Sequence, residues 1–168
     1  IEVRSGSVDY DFIAEPRAIK TPNGPLTFVV DGDSLAANGV YRDSALYFWY
    51  TRGWWVHALN YIKGNLRLVN MGGVGGQTAQ QILARFDSTV AQFAPNEVWA
   101  IIGQNNLTDS DGAAAAIAAI QQYVQRCIGL GITLRLGTVT PRHGANQTAT
   151  IQANVISINE AIREMAAA

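Results

Sequence analysis

The chain has 168 residues, of which 48% are apolar and 15% charged, and its net charge at pH 7 is -1. That length and apolar share favour one domain with an ample core. The near-neutral balance gives no electrostatic reason to expect nucleic acid or an anionic membrane as a partner, and no segment approaches the apolar length of a membrane span.

Residues 1–25 mix charges with Gly6, Pro16, Pro22, Gly24 and Pro25 and keep no period, which reads as an extended lead-in or linker. Ile1-Glu2-Val3-Arg4 does not begin like a signal peptide, and a start at isoleucine suggests a processed or subcloned piece. Residues 26–168 then alternate strands and helices. Leu26 to Val30, Leu66 to Val69, Val98 to Ile102 and Ile132 to Leu136 are the predicted strands. Between them, Trp55, Ala58, Leu59 and Ile62 share a helical face, as do Ala79, Ile82, Leu83, Phe86, Val90 and Phe93. A third stripe runs Ile117, Ile120, Val124, Cys127 and Ile128 into Gly129-Leu130-Gly131, where glycine can stop a helix in the left-handed conformation. The last is Ile151, Val155, Ile158, Ile162 and Met165. Strands each followed by a helix imply an α/β fold: a doubly wound, mostly parallel sheet covered on both faces. Ligands of such sheets bind beyond the carboxyl ends of the strands.

Those ends carry the unusual residues. Phe28-Val29-Val30 runs into Asp31-Gly32-Asp33-Ser34-Leu35, a tight turn able to hold a serine hydroxyl at the rim of the sheet. Asn70-Met71-Gly72-Gly73-Val74-Gly75-Gly76-Gln77-Thr78 follows the second strand, and Gly103-Gln104-Asn105-Asn106 the third. Each also has a plainer reading: Ser34 as the cap of the next helix, the glycines as a turn, and Asn105 as a turn residue satisfying local backbone.

The three blocks, in this order and context, resemble the GDSL, or SGNH, hydrolases, a family of esterases, lipases and carbohydrate deacetylases. The resemblance implies a three-layer α/β/α sandwich and a serine ester hydrolase that needs no cofactor or metal. It implies that Ser34 is the nucleophile and that its amide is one oxyanion donor. Gly73 would be the second donor, with Gly72 as a one-residue slip, and the Asn105 side chain the third. Fixed donors suit acyl transfer, because negative charge develops on the carbonyl oxygen and each donor is worth about 10² to 10³ in rate. The substrates it implies are small acyl esters, with acetyl groups on carbohydrate ahead of lipid esters.

Two features depart from the family. Asn106 stands where its third block usually has aspartate. More importantly, the family supplies the base through an Asp-x-x-His block after a fifth strand, and no Asp-x-x-His occurs here; no aspartate follows Asp111. His57 lies about 200° from Trp55, on the polar side of its stripe. His143 follows the fourth strand at the correct sheet edge and is a weak substitute for the base, against a loop residue or substrate contact, because that strand should not neighbour the first. The domain is therefore expected to be incomplete at its C-terminus, with the fifth strand and the Asp-His pair on a separate segment. The unpaired sheet edge would favour association with that segment or another chain.

Asp31 and Asp33 resemble the Asp-x-Asp opening of haloacid-dehalogenase-type phosphatases, as nucleophile and acid, but that chemistry needs a downstream lysine and the last lysine is Lys63, ahead of the third strand. The glycine run lacks dinucleotide-binding spacing, and two histidines with one cysteine lack metal-ligand spacing. The aromatic run Tyr47-Phe48-Trp49-Tyr50 with Trp54-Trp55 invites a sugar-binding module on a disabled hydrolase fold, against core packing as the plainer reading. Trp99 is expected in the core. Cys127 is the only cysteine, so no intrachain disulfide forms and the compartment stays open, with a slight lean towards secretion.

Overall fold

A computed structural model describes residues 25–37, 54–55, 58, 66–108, 112–141 and 147–167. The predicted lead-in up to residue 24, the run Tyr47 to Tyr50, His57, Leu59 and Ile62 of the first helical stripe, and His143 lie outside the described residues.

Four strands form one sheet: β1 (Leu26–Gly32), β2 (Leu66–Met71), β3 (Glu97–Ile101) and β4 (Thr133–Gly137), in the order β2-β1-β3-β4. All neighbours are parallel, with Phe28 opposite Leu68 on one side and Glu97 on the other, and Val98 opposite Leu134. The first and fourth strands are thus separated by β3, as expected. Among the described residues, no strand pairs with the outer sides of β2 and β4.

Period-two alternation assigns each β1 residue to a layer. Phe28 and Val30 face a smaller cluster with Trp99, Ala36 and Trp55. Val29 faces the larger core, built with Val98 and Ala100 from β3, Ile102 just past its end, and the helices α2 (Ala79–Ala84), α3 (Phe86–Thr89), α4 (Gly112–Gly129) and α5 (Ala149–Ala167). The two clusters make the sheet covered on both faces. The Phe86 and Tyr123 rings meet edge to face at 4.8 Å, worth about 0.5–1.5 kcal/mol beyond their burial.

Two helical stripes differ from expectation in their ends. The stripe from Ala79 to Phe93 is not one helix: it breaks at Arg85, resumes as α3 and closes in a 3₁₀ turn at Ala91–Phe93. The Arg85 carbonyl accepts the Thr89 amide and both the Ser88 and Thr89 hydroxyls, side-chain donors that compete with regular helix bonding. Ala94 then turns left-handed at φ 41, and Phe93 is left exposed. In α4, Ile128 is also exposed, one residue past the buried Cys127, and the left-handed stop is Gly131 at φ 67. There the Ile132 amide returns to the Cys127 carbonyl at 2.9 Å.

Candidate active site

The site lies where β1, β2 and β3 end. Gly32, at φ 140, passes so close to β3 that a Cβ would sit 2.4 Å from the Ile101 carbonyl oxygen, so the turn requires glycine. The chain then enters the short helix α1 (Ser34–Ala37). Asp33, not Ser34, caps it: Asp33 Oδ1 accepts the Leu35 amide at 2.9 Å and its carbonyl accepts the Ala37 amide at 3.0 Å. The capping role considered for Ser34 therefore belongs to its neighbour. The Ser34 hydroxyl, half-buried, makes no hydrogen bond among the described residues, and its amide opens the helix where no intrahelical acceptor exists.

The glycine loop after β2 packs directly on this turn. The Gly72 amide donates to the Val30 carbonyl at 2.8 Å, extending the sheet, and the Val74 amide donates to the Gly32 carbonyl at 3.1 Å. Between them, the Gly73 amide donates to nothing among the described residues. A Cβ on Gly73 would lie 2.4 Å from the Ala37 nitrogen, and one on Gly75 would lie 3.8 Å from Ser34 Cβ. Backbone-to-backbone contact at Gly73 admits no side chain.

The third turn is the 3₁₀ segment Gln104–Thr108. Asn105 Nδ2 donates to the Gln77 carbonyl at 2.9 Å and, at a longer 3.3 Å, to Asp33 Oδ2. The carboxamide thus bridges the other two turns. Asn106, the departure from the family pattern, is buried, and its Oδ1 accepts the Ala79 amide at 2.9 Å while its Nδ2 donates to Gln80 Oε1 at 3.0 Å. A carboxamide oxygen serves the α2 N-terminus as an acceptor, and the added donor finds its own partner. Gln104 pairs through both ends of its amide with the Thr140 backbone, at 2.8 and 3.0 Å, fastening the segment after β4 to this turn.

Beneath the turn lies a network absent from the sequence reading. Asp31 is fully buried, and its carboxylate accepts the Gly32 amide at 2.9 Å, Arg85 Nη1 at 2.6 Å and the Tyr123 hydroxyl at 2.8 Å. Burial pushes the Asp31 carboxyl above its ordinary value, and Arg85, Tyr123 and the Gly32 amide pull it back. Burial likewise raises Asp33, opposed by the Leu35 amide and its own. With all access closed, Asp31 cannot serve as the nucleophile of an aspartyl phosphatase. A signal for Arg85 was present: it falls three residues after Ile82, on the apolar face, while an aspartate ends an apolar strand and needs a buried partner.

The described indoles pack against the sheet. Trp54, half-buried, stacks on Trp99 at 6.3 Å between centroids, Trp99 meets Phe28 at 4.7 Å, and Trp55 is buried, so Trp55 and Trp99 are spent on packing. Trp99 is in the core, as expected, and its Nε1 donates to Glu97 Oε2 at 2.8 Å. Among the described residues, no cluster of three or more His, Cys, Asp or Glu could hold a metal ion, and no helix is long and apolar enough to cross a membrane.

Comparison with known proteins agrees with this architecture. Among solved structures, an acetylxylan esterase from Geobacillus stearothermophilus aligns with a TM-score of 0.66 at 18% identity, over 86% of this chain and 73% of that one. Its solved catalytic mutants replace a serine, an aspartate and a histidine three positions after that aspartate. An α/β hydrolase from the metagenome of Lake Arreo aligns with a TM-score of 0.65 at 21% identity, over 86% and 73%. A gut microbial diltiazem-metabolizing enzyme aligns with a TM-score of 0.63 at 20% identity over 89% of this chain, which spans only 36% of that enzyme. No curated protein sequence matches the chain. The sequence profile of the GDSL-like lipase/acylhydrolase family matches residues 31–168. With that profile over most of its length, a parallel α/β sheet and three glycine- and asparagine-bearing turns meeting at one rim, the chain belongs to the GDSL-like lipase/acylhydrolase family.

Proposed function

We propose that this chain carries the nucleophile and oxyanion pocket of a serine esterase acting on small acyl esters, with acetyl groups on carbohydrate as the foremost candidates. The observation that carries this reading is an uncommitted Ser34 hydroxyl beside a loop whose Gly73 amide also has no acceptor among the described residues. Gly72 is the poorer donor, because its amide is spent on Val30.

In the proposed reaction, Ser34 Oγ attacks the ester carbonyl carbon while a base removes its proton. The resulting oxyanion takes hydrogen bonds from the Ser34 amide, the Gly73 amide and Asn105 Nδ2. Asn105 has two amide protons; the 2.9 Å bond to Gln77 orients the group, and the longer bond to Asp33 is the one exchanged for the oxyanion. The alcohol leaves with the proton, and water releases the acyl group by the same steps in reverse order. The base is expected from an Asp-x-x-His segment that these 168 residues do not include. The acetyl-carbohydrate preference draws on the acetylxylan esterase activity of the Geobacillus stearothermophilus neighbour.

A fluorophosphonate probe tests this in the assembly complete with its Asp-x-x-His segment. Labelling that disappears in Ser34→Ala, together with acetyl ester hydrolysis, is the expected result; an unlabelled Ser34 in that assembly would overturn it.

A further inference from the structure

One side chain that reaches none of the proposed reacting atoms joins two of the three turns directly and the third through Gln77. Arg85 presents a three-way fork: Nη1 to Asp31 Oδ1 at 2.6 Å, Nη2 to the Gly32 carbonyl at 2.7 Å and Nε to Gln77 Oε1 at 2.5 Å. Gln77 passes the connection on, because its backbone carbonyl is the acceptor that orients Asn105 Nδ2. Asn105 in turn contacts Asp33, which is covalently next to Gly32. The links therefore close a ring: Arg85, Gln77, Asn105, Asp33, Gly32 and back to Arg85.

Neutralising Asp31 would need only one of these N–H groups. The other two are spent on a backbone carbonyl before the serine and on the side chain of the glycine loop, neither of them charged. Their common effect is geometric. We propose that Arg85 is a positioning residue for the oxyanion pocket: its guanidinium fixes the Ser34 turn against the Gly73 loop and, through Gln77, sets the orientation of the Asn105 carboxamide. This rests on the reading of Ser34 as nucleophile. A misplacement of about 1 Å at such donors can cost about 10²-fold in rate. Lysine cannot replace the fork, because a single ammonium does not present planar donors in three fixed directions.

The test uses the same complete assembly and reads both kcat and KM for an acetyl ester and the rate of fluorophosphonate labelling, whose phosphoryl oxygen occupies the oxyanion pocket. Arg85→Lys and Arg85→Ala are expected to lower kcat and the labelling rate by about 10²-fold with KM changed less than about threefold. Millimolar guanidinium should restore part of the Arg85→Ala rate while methylammonium does not; a residue needed only for stability would gain nothing from a denaturant. Gln77→Ala, which removes one acceptor at a half-buried loop position, is expected to cost about 10-fold in kcat and decides the matter should the arginine variants not fold. Arg135→Gln, remote from the turns, is the matched control with unchanged kcat. Folded Arg85→Lys or Gln77→Ala proteins with parental kcat and labelling rate would overturn the proposal. An unlabelled Ser34 in the parent would instead sink the nucleophile reading, so the two failures are told apart.

Discussion

Two carboxylates in the sheet are each paired with an arginine, and the pairs behave differently. Asp31, near the end of β1, is fully buried and meets an Arg85 side chain that is 14% exposed; Glu97, at the start of β3, meets an Arg135 side chain that is 39% exposed. Arg135 grips Glu97 with two N–H groups, at 2.7 and 2.9 Å, across the β3–β4 register. Arg85 gives Asp31 one N–H and two others to the loops at Gly32 and Gln77. The titrations diverge accordingly. At Glu97, burial pushes the carboxyl up, but the bonds from Arg135 and Trp99 outweigh it and leave the group below its ordinary 4.5. At Asp31, burial wins and the group lies above its ordinary 3.8. The pair at the strand start thus links neighbouring strands, whereas the pair at the strand end links β1 to the turns beyond it.

The largest expected effect comes from breaking the inner pair. Asp31→Ala leaves Arg85 without its counter-charge and Tyr123 without its acceptor, and should cost about 3–5 kcal/mol in urea unfolding, as removal of one partner of a buried ion pair does. Gly73→Ala, which forces a Cβ into the Ala37 backbone, should cost about 1–3 kcal/mol and reduce Ser34 labelling, because the loop must move away from the turn.

Proton linkage sharpens the contrast. Glu97, lowered on folding, contributes stability that is present above 4.5 and lost as pH falls through its folded value. Asp31, raised on folding, contributes stability present below 3.8 and lost as pH rises through its folded value. Unfolding free energies across that acid range should show Glu97→Gln losing the acid-side decline and Asp31→Asn losing the opposite trend; parallel curves for both variants would erase the distinction. The smallest effect is expected at the Asp87–Arg126 ion pair, whose aspartate side chain is 76% exposed: Asp87→Ala should change stability by no more than about 0.5 kcal/mol.

Much of the architecture was legible because burial on a parallel sheet leaves a periodic trace. Phe28 to Val30, Val98 to Ala100 and the Ile151 to Ile162 stripe all entered the core as their spacing implied. Glycine at positions 32 and 73 was legible as a turn signal, and close backbone approach is what those positions require. Asp33 as the cap in place of Ser34 was not legible, because both residues are good caps and only the entry angle of the chain chooses between them. The break at Arg85 was hidden for a similar reason: the apolar spacing runs through it, while the side chain is drawn to acceptors far away in sequence.

Local pattern by itself determined the strands, the buried face of the last helix and which residues stand at the carboxyl ends of the sheet, since propensity and period act over a few neighbouring positions. Which donors are spent and which remain available, Gly72 against Gly73 or Asp33 against Ser34, was decided only when remote segments met. Hydrogen bonds between turns separated by tens of residues leave no period in the chain, so the ring through Arg85, Gln77 and Asn105 exists only in three dimensions.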